Sequence, residues 1–313
     1  MRYDKKSRNR ARKIKRARTT ILFIIVAAFV IGGSTIMAQK FAQSKQAVQA
    51  AEVVEAQNNS DSTDKNVLSS NSSKPSSENG YTEDVAFVEK YLAAQMKGKM
   101  PEGVDGKKVV YLTFDDGPSE TVTPSILDTL KAENVHATFF VVGKAVDESE
   151  TNKSLLKREL AEGNGIGNHT YSHNYNYLYP KNCISVDNIM ADIEKTNQTL
   201  KNVLGQDFST RAIRFPGGHM TWEKKDTKGM ESMDKALADK DYHQVDWNSL
   251  SKDAEGPHKN AAQLKQEVIN TMGSKQKLII LMHDTYGKEE TAKALPEIIK
   301  YLKEQGYEFK TLK

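Results

Sequence analysis

Two adjacent carboxylates, Asp115-Asp116, end the apolar run Tyr111-Leu112-Thr113-Phe114 and are followed by Gly117-Pro118. Farther along, His169 and His173 stand four apart in Gly167-Asn168-His169-Thr170-Tyr171-Ser172-His173. Three more polar groups follow apolar stretches: Arg214 before Phe215-Pro216-Gly217-Gly218, Asp246 before Trp247, and His283-Asp284 after Leu281-Met282. Imidazole nitrogen and carboxylate oxygen suit a divalent cation, and a catalytic site of the zinc type needs three protein ligands and one open position. His169 and His173 present both rings to one side if their segment turns once. The third ligand is then expected from Asp115-Asp116. Successive side chains at a strand end point in different directions, so one carboxylate can bind metal while the other acts as a base. There is no His-Glu-x-x-His, so a zincin protease is not supported. Neither signal decides alone: such histidine pairs are common at surfaces, and Asp-Asp-Gly-Pro is a common turn.

These groups need elements to hold them. Strand-like runs fall at 109–114, 137–142, 165–168, 211–215, 242–247, 277–282 and 307–312, with helical patterns between most of them. Thr123-Pro124 reads as a helix start, with Thr as N-cap. Two long amphipathic stretches, 185–204 and 289–305, stop at Gly205 and Gly306. Alternation of this kind implies a parallel sheet with crossover helices. The fold class is α/β, and seven apolar strands fit a distorted (β/α) barrel better than an open sheet. Every reactive group above then lies at the C-terminal end of a strand, where barrel enzymes build their sites.

The N-terminal third reads differently. Residues 1–18 carry ten basic side chains against Asp4, so the formal total of +4 leaves −5 for the rest of the chain. The basic balance belongs to a tail, and no nucleic-acid partner is expected. Residues 19–38 are nearly all apolar, long enough to span a bilayer. The preceding positive charge places the N-terminus in the cytoplasm and the remainder outside, as a single-pass membrane protein. A cleaved signal peptide, giving a secreted protein, is the alternative. Residues 39–80 are rich in Ser, Asn and Gln and read as a disordered linker; 81–104 form a helical lead-in, with an apolar face over 82–96. Cys183 is the only cysteine, which excludes an intramolecular disulfide and suits a Gram-positive-type bacterial surface; it is expected to pack as a small hydrophobe.

The ordered set resembles the five motifs of the polysaccharide deacetylases, carbohydrate esterase family four. The set is 111–119 with Asp115-Asp116, His169-x-x-x-His173, Arg214-x-Pro216, Asp246-Trp247 and Leu281-Met282-His283-Asp284. The resemblance covers 105–313, expected as the catalytic domain, and implies a distorted seven-stranded barrel that removes acetyl groups from sugar polymers. It also implies roles. Asp116, His169 and His173 match the metal ligands, for one divalent ion, zinc first and cobalt or another as alternatives. Asp115 matches the base, Arg214 its partner, His283 the acid, and Asp246 the aspartate that tunes that histidine. Trp247 and Leu281 match residues lining the acetyl-methyl pocket.

One position departs from the pattern: the family usually has Tyr where this chain has Gly217. A glycine keeps the backbone N–H that helps hold an oxyanion and loses the ring, so a more open cleft wall is expected there. His219 and Trp222 are candidates to fill it. Asn168 contacts a metal-bound water or shapes its turn; Asp284 caps a turn; His136, His243 and His258 are read as structural. The expected activity is removal of N-acetyl groups from N-acetylglucosamine in cell-wall peptidoglycan. Rivals are chitin-like or exopolysaccharide polymers, N-acetylmuramic acid, ester-linked acetyl on xylan and, in another class, a non-catalytic glycan-binding wall module. A binder has no need for base, acid and three ligands together. No protein partner is evident.

Overall fold

The computed structural model describes residues 80–313. The expected basic tail, membrane span and nearly all of the linker lie outside the described residues. Among the described residues, no helix is long and apolar enough to cross a membrane.

Ten strands run in chain order among the described residues: β1 Thr82–Glu83, β2 Val109–Asp115, β3 Thr138–Val141, β4 Gly165–Asn168, β5 Ala212–Ile213, β6 His243–Gln244, β7 Ser249–Leu250, β8 Lys277–His283, β9 Glu308–Phe309 and β10 Thr311–Leu312. Ten α-helices accompany them: α1 Val85–Met96, α2 Thr123–Ala132, α3 Gly143–Asp147, α4 Glu150–Ala161, α5 Tyr175–Leu178, α6 Val186–Leu204, α7 His219–Lys225, α8 Thr227–Ala238, α9 Ala261–Met272 and α10 Glu289–Glu304. The main sheet is parallel throughout, in the order β6-β5-β4-β3-β2-β8-β7. It is a curled, seven-stranded α/β half-barrel, consistent with the distorted barrel expected but left open because β6 and β7 do not pair.

The strands are not all those expected. The final expected run splits: β9 pairs with the start of β2, and β10 pairs with β1. The seventh strand of the path is instead β7, which had no sequence signal. The lead-in begins as strand β1, and its helix starts only at Val85. Thr123 does not cap α2; its hydroxyl accepts from Ser119 N–H and donates to Asp284.

Alternation along β2 and β8 sets the layers and the site together. Val110, Leu112 and Phe114, with Leu278, Ile280 and Met282, enter a core shared with Ile126, Leu130, Leu295 and Ile298 of the covering helices. The residues between them face inward. At the N-terminal end Val109, Tyr111 and Ile279 pack with Val85, Val88 and Leu92 of α1, and Lys277 lies over the Phe87 and Tyr91 rings of the same helix. At the other end the inward residues are Thr113, Asp115, Leu281 and His283. Seven residues of β2 register with seven of β8, so Asp115 stands beside His283.

Candidate active site

Asp115 is the last residue of β2 and 2% exposed. Its Oδ1 accepts from Arg214 Nη1 at 2.8 Å. Arg214 follows β5 and is fully buried; it also donates to Thr113 Oγ1 (2.7 Å) and to the Val245 carbonyl (2.8 Å), and its guanidinium lies over the Phe140 ring. A buried pair held by this many bonds keeps both charges in place, while removing one partner strands the other. Asp115 Oδ2 is 3.7 Å from His169 Nε2.

The neighbouring carboxylate turns away because Asp116 takes a left-handed backbone, φ 72°. Its Oδ1 lies 3.4 Å from His169 Nε2 and 3.2 Å from His173 Nε2. The ligand atoms of these three residues all fall within 4.8 Å of one another. The segment joining the histidines is not a helical turn as supposed. It is a loop in which Thr170 and His173 have positive φ. Asn168 shapes that loop: its Oδ1 accepts from Thr170 N–H, and its amide donates to α6 at Ile193 O and Asn197 Oδ1.

The donor set fits a cation. His169 Nδ1 is 2.8 Å from the Arg214 carbonyl, which can only accept. The neutral ring is therefore protonated at Nδ1 and aims the Nε2 lone pair at Asp116 Oδ1. That oxygen is buried and has no hydrogen-bond donor. Lone pairs gathered in this way repel unless a proton or a cation lies between them. Burial opposes charge on Asp116, but His169, His173 and His283 hold its carboxyl well below the usual range. Burial likewise opposes charge on His169, and Asp115 and Asp116 override it to raise the imidazole. Burial pushes His173 down, and a protonated His169 beside it would add to that.

His283 ends β8. Its Nδ1 is 2.8 Å from Asp253 Oδ1, and its N–H donates to Asp253 Oδ2 at 2.9 Å. Asp253 also accepts from Thr291 Oγ1, and its carbonyl accepts from Lys288 Nζ. Burial acts against the imidazolium, yet this carboxylate raises His283 to about 9. Burial likewise opposes charge on Asp253, and His283 holds that carboxyl below its usual range.

Asp253 occupies the place expected for Asp246. Both Asp246 oxygens are taken by backbone N–H groups at the start of α7, His219 at 2.8 Å and Met220 at 2.7 Å, so it caps a helix instead of tuning His283. Burial pushes its carboxyl up against those bonds. The reason lies in the chain path: after β6 it runs through β7 before returning beside β8, and only then does an aspartate face His283. Asp246 stands in an Asp-Trp dipeptide of the kind the family's fourth motif shows, whereas Lys252-Asp253-Ala254 carries no such mark.

A cleft of about 400 Å³ is lined by Asp115, Asp116, His169, His173 and His283, with Gly217, Trp247 and Leu281. The expected site residues thus share one cleft, apart from Arg214 behind Asp115, and Asp246. Trp222 is buried against Tyr179, yet its Nε1 lies 3.3 Å from where a Cβ at 217 would stand, so it backs that wall; His219 pairs with Asp234 instead. Asp284 turns inward: Thr123 and Ser119 hydroxyls donate to its side chain and carbonyl, tying β8 to α2. His136 stacks on Tyr81, and His243 pairs with Glu89. Cys183 is exposed rather than packed.

A half-barrel with a two-histidine, one-aspartate cluster and a carboxylate–histidine pair at its strand ends defines a hydrolase of the carbohydrate esterase type. The chain belongs to the polysaccharide deacetylase family. That family's model matches residues 102–234. A peptidoglycan-N-acetylglucosamine deacetylase of Bacillus cereus is 38% identical over 221 residues, covering 69% of this chain and 74% of that one. A peptidoglycan-N-acetylmuramic acid deacetylase of Bacillus subtilis is 36% identical over 67% of this chain and 39% of its own length. The structure of a Streptococcus mutans CE4 esterase superposes with TM-score 0.65 at 35% identity, covering 75% of this chain and 93% of that one.

Proposed function

We propose that this chain removes the acetyl group from N-acetylglucosamine residues of peptidoglycan, on the outer side of a bacterial membrane. The observation that carries this reading is the convergence of the Asp115–Arg214 and His283–Asp253 pairs on the cleft that holds the Asp116, His169, His173 cluster. The Bacillus cereus relative, named for that sugar, supports the substrate. The Bacillus subtilis relative makes N-acetylmuramic acid the second candidate.

A divalent cation held by Asp116, His169 and His173, zinc first with cobalt or another divalent ion as alternatives, would polarise the acetyl carbonyl and make bound water more acidic. The chain's own groups supply the proton transfers. Asp115, oriented by Arg214, accepts the proton of the attacking water. The Gly217 N–H serves the acetyl oxygen as negative charge develops there. His283, with Nδ1 turned to Asp253, donates from Nε2 to the departing nitrogen. With a pKa of about 9 it is charged at neutral pH, as an acid must be. Leu281 and Trp247 form the apolar end of the cleft for the acetyl methyl.

The basic tail, the apolar stretch 19–38 and the polar stretch after it suit a domain tethered beside the wall. Mass spectrometry of defined wall fragments, before and after incubation, tests the substrate. Loss of one acetyl mass from the glucosamine unit is expected; loss only from the muramic acid unit, or from neither, would overturn it.

A further inference from the structure

The cleft wall beside Gly217 is supplied from a distant part of the chain. Gly217 has φ 83°, a region that L side chains rarely adopt. A Cβ there would also lie 2.9 Å from Tyr175 Oη and 3.3 Å from Tyr175 Cε1. The space a side chain at 217 would take is therefore held first by Tyr175, which opens α5 just beyond His173, with Trp222 Nε1 behind it at 3.3 Å. Its ring meets the His173 imidazole edge-on at 5.6 Å and leans on Tyr179 and Trp222. Asn174 pins the turn beneath it by accepting from Asn176 and Tyr177 N–H.

The three aromatics differ in what their polar ends do. Tyr179 Oη and Trp222 Nε1 both donate to the Pro216 carbonyl, and both side chains are buried. Tyr175 is 44% exposed and lines the cleft, and among the described residues its hydroxyl has no hydrogen-bond partner. A phenol both donates and accepts, which matches a pyranose hydroxyl, and its ring offers an apolar face to the sugar's C–H groups.

We propose that Tyr175 is a sugar-binding residue of this cleft: its hydroxyl bonds a hydroxyl of the acetylated sugar, and its ring forms the wall that Gly217 cannot. The assignment rests on the deacetylase reading. It makes the preference for a sugar-borne acetyl group depend on the loop after β4 rather than on the residue after Pro216.

The test is Tyr175→Phe in the whole chain, assayed on N-acetylglucosamine oligomers and on a small acetate ester that carries no sugar. The readout is the ratio of the two kcat/KM values. Loss of one hydrogen bond to a neutral group should lower that ratio about threefold to tenfold. Tyr175→Ala, which also removes the ring, should lower it further. Bound metal is measured in each variant to separate sugar binding from damage at His173. A ratio equal to that of the unaltered chain would overturn the assignment. Should the unaltered chain leave the oligomers intact, the substrate proposal fails, and the ratio is read on the acetylated glycan it does hydrolyse.

Discussion

At the centre of the sheet, β2 and β8 pair over seven registered residues; at its open edge, β6 and β7 are two residues each and do not pair with one another. The long pair fixes its polar ends by geometry. Once the apolar residues alternate between layers, Asp115 and His283 can only face the interior, side by side. The short edge fixes nothing by register, so its loops decide. There the chain carries two buried aspartates, and the first is consumed by a helix start while the second reaches His283. Catalytic position is set by strand pairing in one region and by local hydrogen bonds in the other.

Substitutions in the two regions should fail in different ways. The largest effect is expected at the centre. Asp115→Asn should lower kcat/KM by about 10²- to 10⁴-fold, as for loss of a general base. It should also destabilise the fold by about 3 kcal/mol, because Arg214 is left buried without its partner. Steady-state kinetics and denaturant titration check the two losses. A variant that keeps full activity removes Asp115 from the chemistry.

Asp253→Asn comes next and sharpens the comparison through pH. With Asp253 ionised, His283 keeps its proton up to about pH 9. The alkaline limb of kcat/KM should therefore lie near that value if His283 is the acid. Without that carboxylate, burial opposes the charge and only Asp115 and Asp116 still support it, so the limb should fall from there toward the ordinary histidine value of about 6.5. Asp246→Asn should leave the limb where it is. A limb that moves with Asp246 and not with Asp253 would reverse the assignment.

The same pair links stability to pH. His283 is raised in the folded state, so its contribution is fully present below about pH 6.5 and fades as pH rises through about 9. The stability gap between the parent and Asp253→Asn, measured by denaturation at several pH values, should be widest at the acid end of that window, by about 3 kcal/mol. A gap that widens with rising pH contradicts the pairing. The smallest effect belongs to Asp246→Ala, expected to cost about 1–2 kcal/mol through the lost cap of α7. It is read as a lowered Tm, with the alkaline limb unmoved.

The centre of this molecule is legible in its sequence because long buried strands make long apolar runs. Val109 to Asp115 and Lys277 to His283 announce a strand and its polar end, but not which residues face which layer, since both faces are buried. β5 and β6 are short but fall within expected strand runs, whereas β1 and β7 fall within none, and the break between β9 and β10 leaves no mark in the run 307–312. Residue type and spacing point to His169 and His173 with one of Asp115 and Asp116; that Asp116 is the third member follows from the resemblance to the deacetylases. The loop that brings the cluster together is not legible, since it depends on positive φ at Asp116, Thr170 and His173. Tyr175 was missed for a related reason. Its meeting with Gly217 joins the loop after β4 to the loop after β5, a contact that no local pattern encodes.

The central claim is that Asp116, His169 and His173 hold a divalent cation that acetyl hydrolysis requires. Acetate release from N-acetylglucosamine oligomers, measured on the protein as purified, after chelation and after return of Zn²⁺ or Co²⁺, addresses it directly. The account predicts that chelation abolishes release, that the returned ion restores it, and that His169→Ala neither retains metal nor recovers. Release that is indifferent to chelation would contradict the account.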